Sequence, residues 1–342
     1  MSRQLLRITQ TFGTQPFSVT TALDAGFGRG ALRNRTLTRP HRGVRTASEV
    51  DPSLVSRAIA LRPKLRPGDR FSHATALALL GCPVHVTLGT PVDVASAPGT
   101  TPMRRAGVAG HRTTNGLALE LQVPAGLWTN EGALSLPVSL PADAVREAAT
   151  MLPGPELVVA LDSLLHRGPA HFDDAVAILS EHLMEDLRAA RRTRGAVRLR
   201  IALRLARHGA ESRMETLLRL IGESVGISDL MTQGAIRTVY EEIGRFDLTD
   251  EATRSFFEYD GAQHRTSRAQ YLRDIARYDG ARDAGWRGLR FHAEDVLLTP
   301  DRTAARMLVR LGRERERIPR SVAKFLSEGR TSSLEPAAPR QR

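Results

Sequence analysis

The chain has a single cysteine, Cys82, in 342 residues. One thiol excludes an internal disulfide and a cysteine-based zinc site, which fits a reducing compartment. Aromatic residues make up 5% of the sequence and few lie in its basic N-terminal segment, so the stacking platform of single-strand RNA readers is not expected. No apolar run approaches the roughly 20 residues of a membrane helix. Met1-Ser2-Arg3-Gln4 opens no apolar stretch of the signal-peptide kind. A cytoplasmic location without a membrane partner is therefore expected. A P-loop, a Gly-x-Gly-x-x-Gly run and a His-Glu-x-x-His motif are also missing. Their absence argues against nucleotide-driven motors, dinucleotide redox enzymes and zincins. His73, His85, His111, His166, His171 and His182 lack the short spacing that puts two ligands on one helical face.

Lysine is nearly absent: Lys64 and Lys324 are the only two, and arginine carries the rest of the positive charge. The net charge of +12 is unevenly spread. Residues 1–70 hold 13 Lys and Arg against 4 Asp and Glu, and residues 316–342 hold 6 against 3. A preference for arginine explains the choice of Arg over Lys and leaves the clustering unexplained. A basic N-terminal module is the footprint expected of a DNA binder, because each arginine over a phosphate releases condensed counterion.

The 41% apolar fraction and the chain length predict several domains with proper cores. An α/β, or α+β, fold is expected. It comprises a winged helix-turn-helix over 1–70, a mixed α/β connector over 71–195, a domain with a mixed sheet flanked by helices over 196–315, and a basic, partly disordered tail over 316–342. In the first segment Ser18 to Ala25 reads as a helix, Gly26 as a turn and Arg29 to Arg35 as a second helix. Arg29, Arg33 and Arg35 would then face the duplex, with Leu37 to Arg45 as a small basic wing. In the connector, Ala74–Leu80, Asp143–Met151 and Glu156–Leu165 read as helices, and Val84–Leu88 and Gly107–Arg112 as strands.

From Ser212 the pattern reads as helix, three strands, helix, strand, helix. Strand periodicity puts Glu258 and Asp260 on one face, and Asp247 on the neighbouring strand reaches the same end. Three carboxylates there suit a hard cation such as magnesium better than zinc. Each residue also has a structural use. Glu258 could pair with Arg277 or Arg290, Asp274 with Arg277, and Asp247 could satisfy a turn. Asp260-Gly261 is a common turn dipeptide, and Ser212-Arg213-Met214-Glu215 is a capping-box pattern.

The order Asp247, Glu258-Tyr259-Asp260-Gly261, His264, Asp274-x-x-Arg277, Gly285-Trp286 and Leu289-Arg290-Phe291 resembles the endonuclease-like domain related to very-short-patch-repair enzymes, within the PD-(D/E)XK superfamily. The resemblance spans roughly Ser212 to Arg313. Ala25-Gly26 and Arg42-Gly43-Val44 resemble, more weakly, the winged-helix domain of abortive-infection (type IV) antitoxins. The resemblance implies a restriction-endonuclease-like sheet and magnesium- or manganese-dependent cleavage of DNA. Asp247 and Glu258 would hold the ion, His264 would orient water or stabilise charge, and Arg277 or Arg290 would hold the phosphate. Glu215 resembles the upstream helical acid of these nucleases. The superfamily's lysine would fall at position 260, where this chain has Asp260, and His264 is the residue that could take its place. A homodimer and a cognate toxin are partners this reading allows, and a non-enzymatic regulator of antitoxin type is its alternative.

Overall fold

The computed structural model describes residues 3–87, 89–113, 117–123, 134–167, 194–261 and 268–329. The chain forms two compact units, Met1–Ala148 and Ala149–Arg342, of mixed α and β structure. No helix among the described residues is long and apolar enough to cross a membrane.

The first unit begins with α1 (Arg3–Phe12), β1 (Phe17–Ser18), α2 (Val19–Asp24) and β2 (Val44–Arg45). Ser18 starts α2 because its side chain accepts the Thr21 N–H at 2.9 Å. Ile8, Phe17, Ala22, Phe27, Leu32 and Leu37 bury a small core. β2 pairs antiparallel with β1 through Phe17↔Arg45 and Ser18↔Val44. The expected helix over Arg29–Arg35 is a single 3₁₀ turn, Ala31–Arg33. Gly28 and Gly30 weaken helix there, and Asn34 ends it by accepting the Thr36 N–H at 3.0 Å on its own side chain.

After α3 (Leu54–Leu61), five strands form a mixed sheet: β3 (Arg70–Phe71), β4 (Val92–Ser96), β5 (Val108–Arg112), β6 (Leu119–Val123) and β7 (Leu134–Val138). Their order is β5-β4-β3-β7-β6. The helices α4 (His73–Leu79) and α5 (Pro141–Ala148) pack together on it. Residues 84–87 form no strand, contrary to expectation, because the chain turns tightly after α4. Cys82 N–H bonds the Leu77 carbonyl at 2.9 Å, and Val84 N–H bonds the Cys82 carbonyl at 2.8 Å. Arg70 is fully buried and held by Glu147 at 3.0 Å.

The second unit contains α6 (Gly154–Arg167), α7 (Ala196–Leu205) and α8 (Arg213–Glu223) ahead of a four-stranded sheet. The strands are β8 (Met231–Arg237), β9 (Glu242–Asp250), β10 (Ser255–Tyr259) and β11 (Arg287–Phe291), in the order β11-β10-β9-β8. β10 and β11 are parallel, which a short turn cannot connect, and α9 (Arg268–Asp283) lies between them in sequence. The chain ends in α10 (Ala293–Leu297), α11 (Pro300–Leu311) and α12 (Arg320–Ser327).

Apolar residues cover both sides of this sheet. Leu248, Phe257 and Phe291 pack with Leu218 of α8 and Met307 of α11. Ile236, Phe246 and Phe256 pack instead with Ala281 and Tyr278 of α9. Buried Arg219 fixes α8 by reaching Asp162 of α6 at 2.7 Å and Glu223 at 2.6 Å. Burial raises the pKa of both carboxylates, and Arg219 opposes that rise.

Candidate functional site

The site begins where a ladder of strand pairs stops. β9 and β10 pair antiparallel through Ser255↔Asp250, Phe256↔Thr249 and Phe257↔Leu248, and no further. Beyond that point the Asp247 side chain takes over the missing strand: its Oδ2 accepts the Tyr259 N–H at 2.8 Å. Residues two apart on a regular strand share a face, yet Phe246 and Leu248 belong to the two different cores. The strand is therefore irregular at Asp247. Gln233 on β8, between the Thr232↔Leu248 and Gly234↔Phe246 pairs, has a φ of 50°. Its Nε2 donates to Asp247 Oδ1 at 3.4 Å and to Glu215 Oε2 at 3.1 Å.

Glu215 arrives from the first turn of α8. Ser212 caps that helix by accepting the Glu215 N–H at 3.2 Å. The reciprocal half of a capping box is displaced by one residue, because the Glu215 carboxylate accepts the Glu211 N–H at 2.8 Å.

Glu258 is 6% exposed and pairs with Arg277, whose Nη1 donates to Oε1 at 2.7 Å. Arg277 comes from α9, lies 4.6 Å from the Phe246 ring centre, and also donates to the Arg245 carbonyl at 2.5 Å. Its stem crosses β9 over Gly244, where a Cβ would stand 2.7 Å from Arg277 Cδ and where φ is +153°. Asp274 stands 3.9 Å from the same guanidinium. Asp260 faces Arg290 at 3.7 Å, and Arg290 lies 3.5 Å from the centre of the Tyr278 ring.

Glu215, Asp247, Glu258, Asp260, Arg277 and Arg290 all line one cleft of about 600 Å³. His264 lies outside the described residues. Glu258 and Asp260 each face an arginine, as their structural readings allow, and Asp274 pairs with Arg277. Among the described residues no three His, Cys, Asp or Glu side chains form a ready-made metal-ligand group. Asp247 and Glu215, unlike Glu258, Asp260 and Asp274, have no cationic side chain as a direct partner among the described residues.

The electrostatics single out the same residue. Burial pushes the Asp247 carboxyl up to about 8, the Glu215 charge adds to this and Glu258 adds less. The Tyr259 N–H and Arg277 oppose the rise. Burial also raises Glu258, against the pull of Arg277. Buried carboxylates whose charges repel one another suit a cation, and an all-oxygen donor set matches magnesium or manganese. Asp247 and Glu258 are the carboxylates that could hold such an ion, and Arg277 occupies Glu258.

Sequence reasoning missed Gln233, Arg245 and Tyr278. Arg245 lies on the Asp247 strand two positions earlier, a spacing that could have flagged it. Nothing in the sequence announces Gln233, which reaches the carboxylates only through its left-handed backbone. In the first unit, Arg29, Arg33 and Arg35 are exposed and have no ion-pair partner among the described residues. Arg39 donates to the Arg33 carbonyl at 2.9 Å and Arg45 to the Leu32 carbonyl at 2.7 Å, which pins the turn between them.

No family model matches the sequence. The chain is similar to two proteins of Mycobacterium tuberculosis, the uncharacterized protein MT2308 of strain CDC 1551 / Oshkosh and the uncharacterized protein Rv2248 of strain ATCC 25618 / H37Rv. Each is 28% identical over 291 residues, covering 83% of this chain and 96% of the relative.

Proposed function

We propose that the chain is a cytoplasmic DNA-binding protein whose C-terminal unit hydrolyses DNA phosphodiester bonds with magnesium or manganese. One observation carries this reading: Asp247 is half-buried without a direct cationic partner, beside Glu215 and Glu258, in a cleft that also presents Arg245, Arg277 and Arg290. Asp247 and Glu258 would hold the ion, which polarises a phosphate and lowers the pKa of an attacking water. Gln233 and the Tyr259 N–H hold the Asp247 carboxylate in place. Arg290, stacked on Tyr278, is placed to hold a phosphate oxygen. A mixed sheet covered on both sides, with its acids at a splayed strand pair, supports a restriction-endonuclease-like arrangement. The exposed arginines around Ala31–Arg33 support DNA contact by a winged-helix-like module whose recognition element is one short turn. A homodimer or a cognate toxin partner rests on the resemblance alone.

Supercoiled plasmid tests the assignment. The full chain with magnesium should nick it, whereas Asp247→Asn and Glu258→Gln should bind it without nicking. Equal behaviour of wild type and both variants overturns the catalytic assignment. The Glu258–Arg277 pair favours a second reading, a non-catalytic DNA-binding regulator. That reading wins if the wild type binds DNA and leaves it intact with either metal.

A further inference from the structure

The first unit holds a cluster of positive charge without a carboxylate to balance it. Lys64, one of only two lysines, is half-buried at the end of the 3₁₀ turn Arg62–Lys64 that follows α3. Its Cε and Nζ lie 3.4 Å from where a Cβ would stand on Gly43, whose φ is +77°. The loop at His41–Gly43 thus runs within ordinary contact distance of the lysine, and its left-handed turn at position 43 favours glycine. Arg105, in the turn before β5, donates to the Arg42 carbonyl. His41 donates from Nε2 to the Arg57 carbonyl at 2.9 Å, and Arg57 donates to the Thr90 carbonyl at 2.7 Å.

Every acceptor in this group is a main-chain carbonyl. Carbonyls satisfy N–H groups without neutralising charge, so the cations remain uncompensated. Among the described residues, no Asp or Glu pairs with Arg42, Arg57, Lys64 or Arg105. Burial lowers the Lys64 pKa, and Arg105 lowers it further. His41 is lowered first by burial; the bond to Arg57 opposes this, while the charges of Arg105 and Arg57 add to it. The fold thus holds like charges together from three separate segments, an arrangement that an anion would relieve.

We propose that Lys64 and Arg105 form a phosphate-binding site for the backbone of duplex DNA, extending the contact surface beyond residue 70 to the turn before β5. This rests on the reading of the chain as a DNA binder. The site supplies affinity and leaves sequence preference unchanged, because phosphates carry no base identity.

Anisotropy titrations of the full chain onto labelled duplexes of two sequences, with a chelator present and across a range of salt, test it. The slope of log K against log salt should fall by about 1 for Lys64→Gln and about 1 for Arg105→Gln, equally on both sequences. Lys64→Arg and Arg105→Lys should keep the wild-type slope, and melting curves check that each variant folds. Gln variants with the wild-type slope overturn the site, and so do charge-retaining variants that lose as much as the Gln variants. A wild-type chain that binds neither duplex overturns the DNA reading itself, a separate and recognisable failure.

Discussion

Asp247 carries the central tension of the acidic cleft. A carboxyl raised from its ordinary 3.8 to about 8 binds its proton more tightly in the folded chain than in the unfolded one. Its contribution to stability is therefore fully present below the ordinary value and is lost as pH rises through about 8. Asp247→Asn removes that titration while keeping the shape of the side chain. In metal-free thermal melts from about pH 4 to about pH 9, the wild type should lose stability relative to Asp247→Asn as pH climbs, with the gap closing toward pH 4. Parallel curves would show that Asp247 is not under this strain. Glu258 shifts in the same direction, and the Arg277 partner that opposes its shift makes it the less sensitive probe.

At the scale of elements, the close approach of α9, β10 and β11 rests on small residues. A Cβ at Gly288 of β11 would stand 2.1 Å from the Phe256 ring, which is rigid and buried. Gly288→Ala should destabilise the chain by about 1–3 kcal/mol, read as a drop in the denaturant midpoint. An unchanged midpoint would place the ring elsewhere. The second unit was largely legible in the sequence. Its apolar residues alternate or recur at helical spacing, so the expected order of helix, three strands, helix and strand from Ser212 matches α8, β8, β9, β10, α9 and β11. The first unit was less legible. Asn34 stops the expected second helix through a bond to its own neighbour two residues on, and periodicity carries no trace of that. β7 contains Pro137, which argues against a strand. It forms one because it pairs along its length with β6 and meets β3 only at Val138.

The candidate site was legible as a set of residues and not as a geometry. Asp247, Glu258, Asp260, Arg277 and Arg290 were named from their order, and all line one cleft. The sequence left Glu258 between Arg277 and Arg290, and the space left by Gly244 lets Arg277 take it. Likewise, Gln233 joins Glu215 to Asp247 only through its unusual backbone.

For the whole molecule, the excess of +12 collects mainly in residues 1–70, whereas the cleft of the second unit concentrates acids among arginines. Under the proposed function, the basic region would hold DNA and the acidic cleft would take the small cation. The most direct measurement is calorimetric titration of manganese into the full chain at about pH 8.5, where Asp247 is ionised. The wild type should bind manganese, and Asp247→Asn and Glu258→Gln should each abolish that binding. A wild type that binds no manganese, or variants that bind it as the wild type does, would show that Asp247 and Glu258 hold no ion.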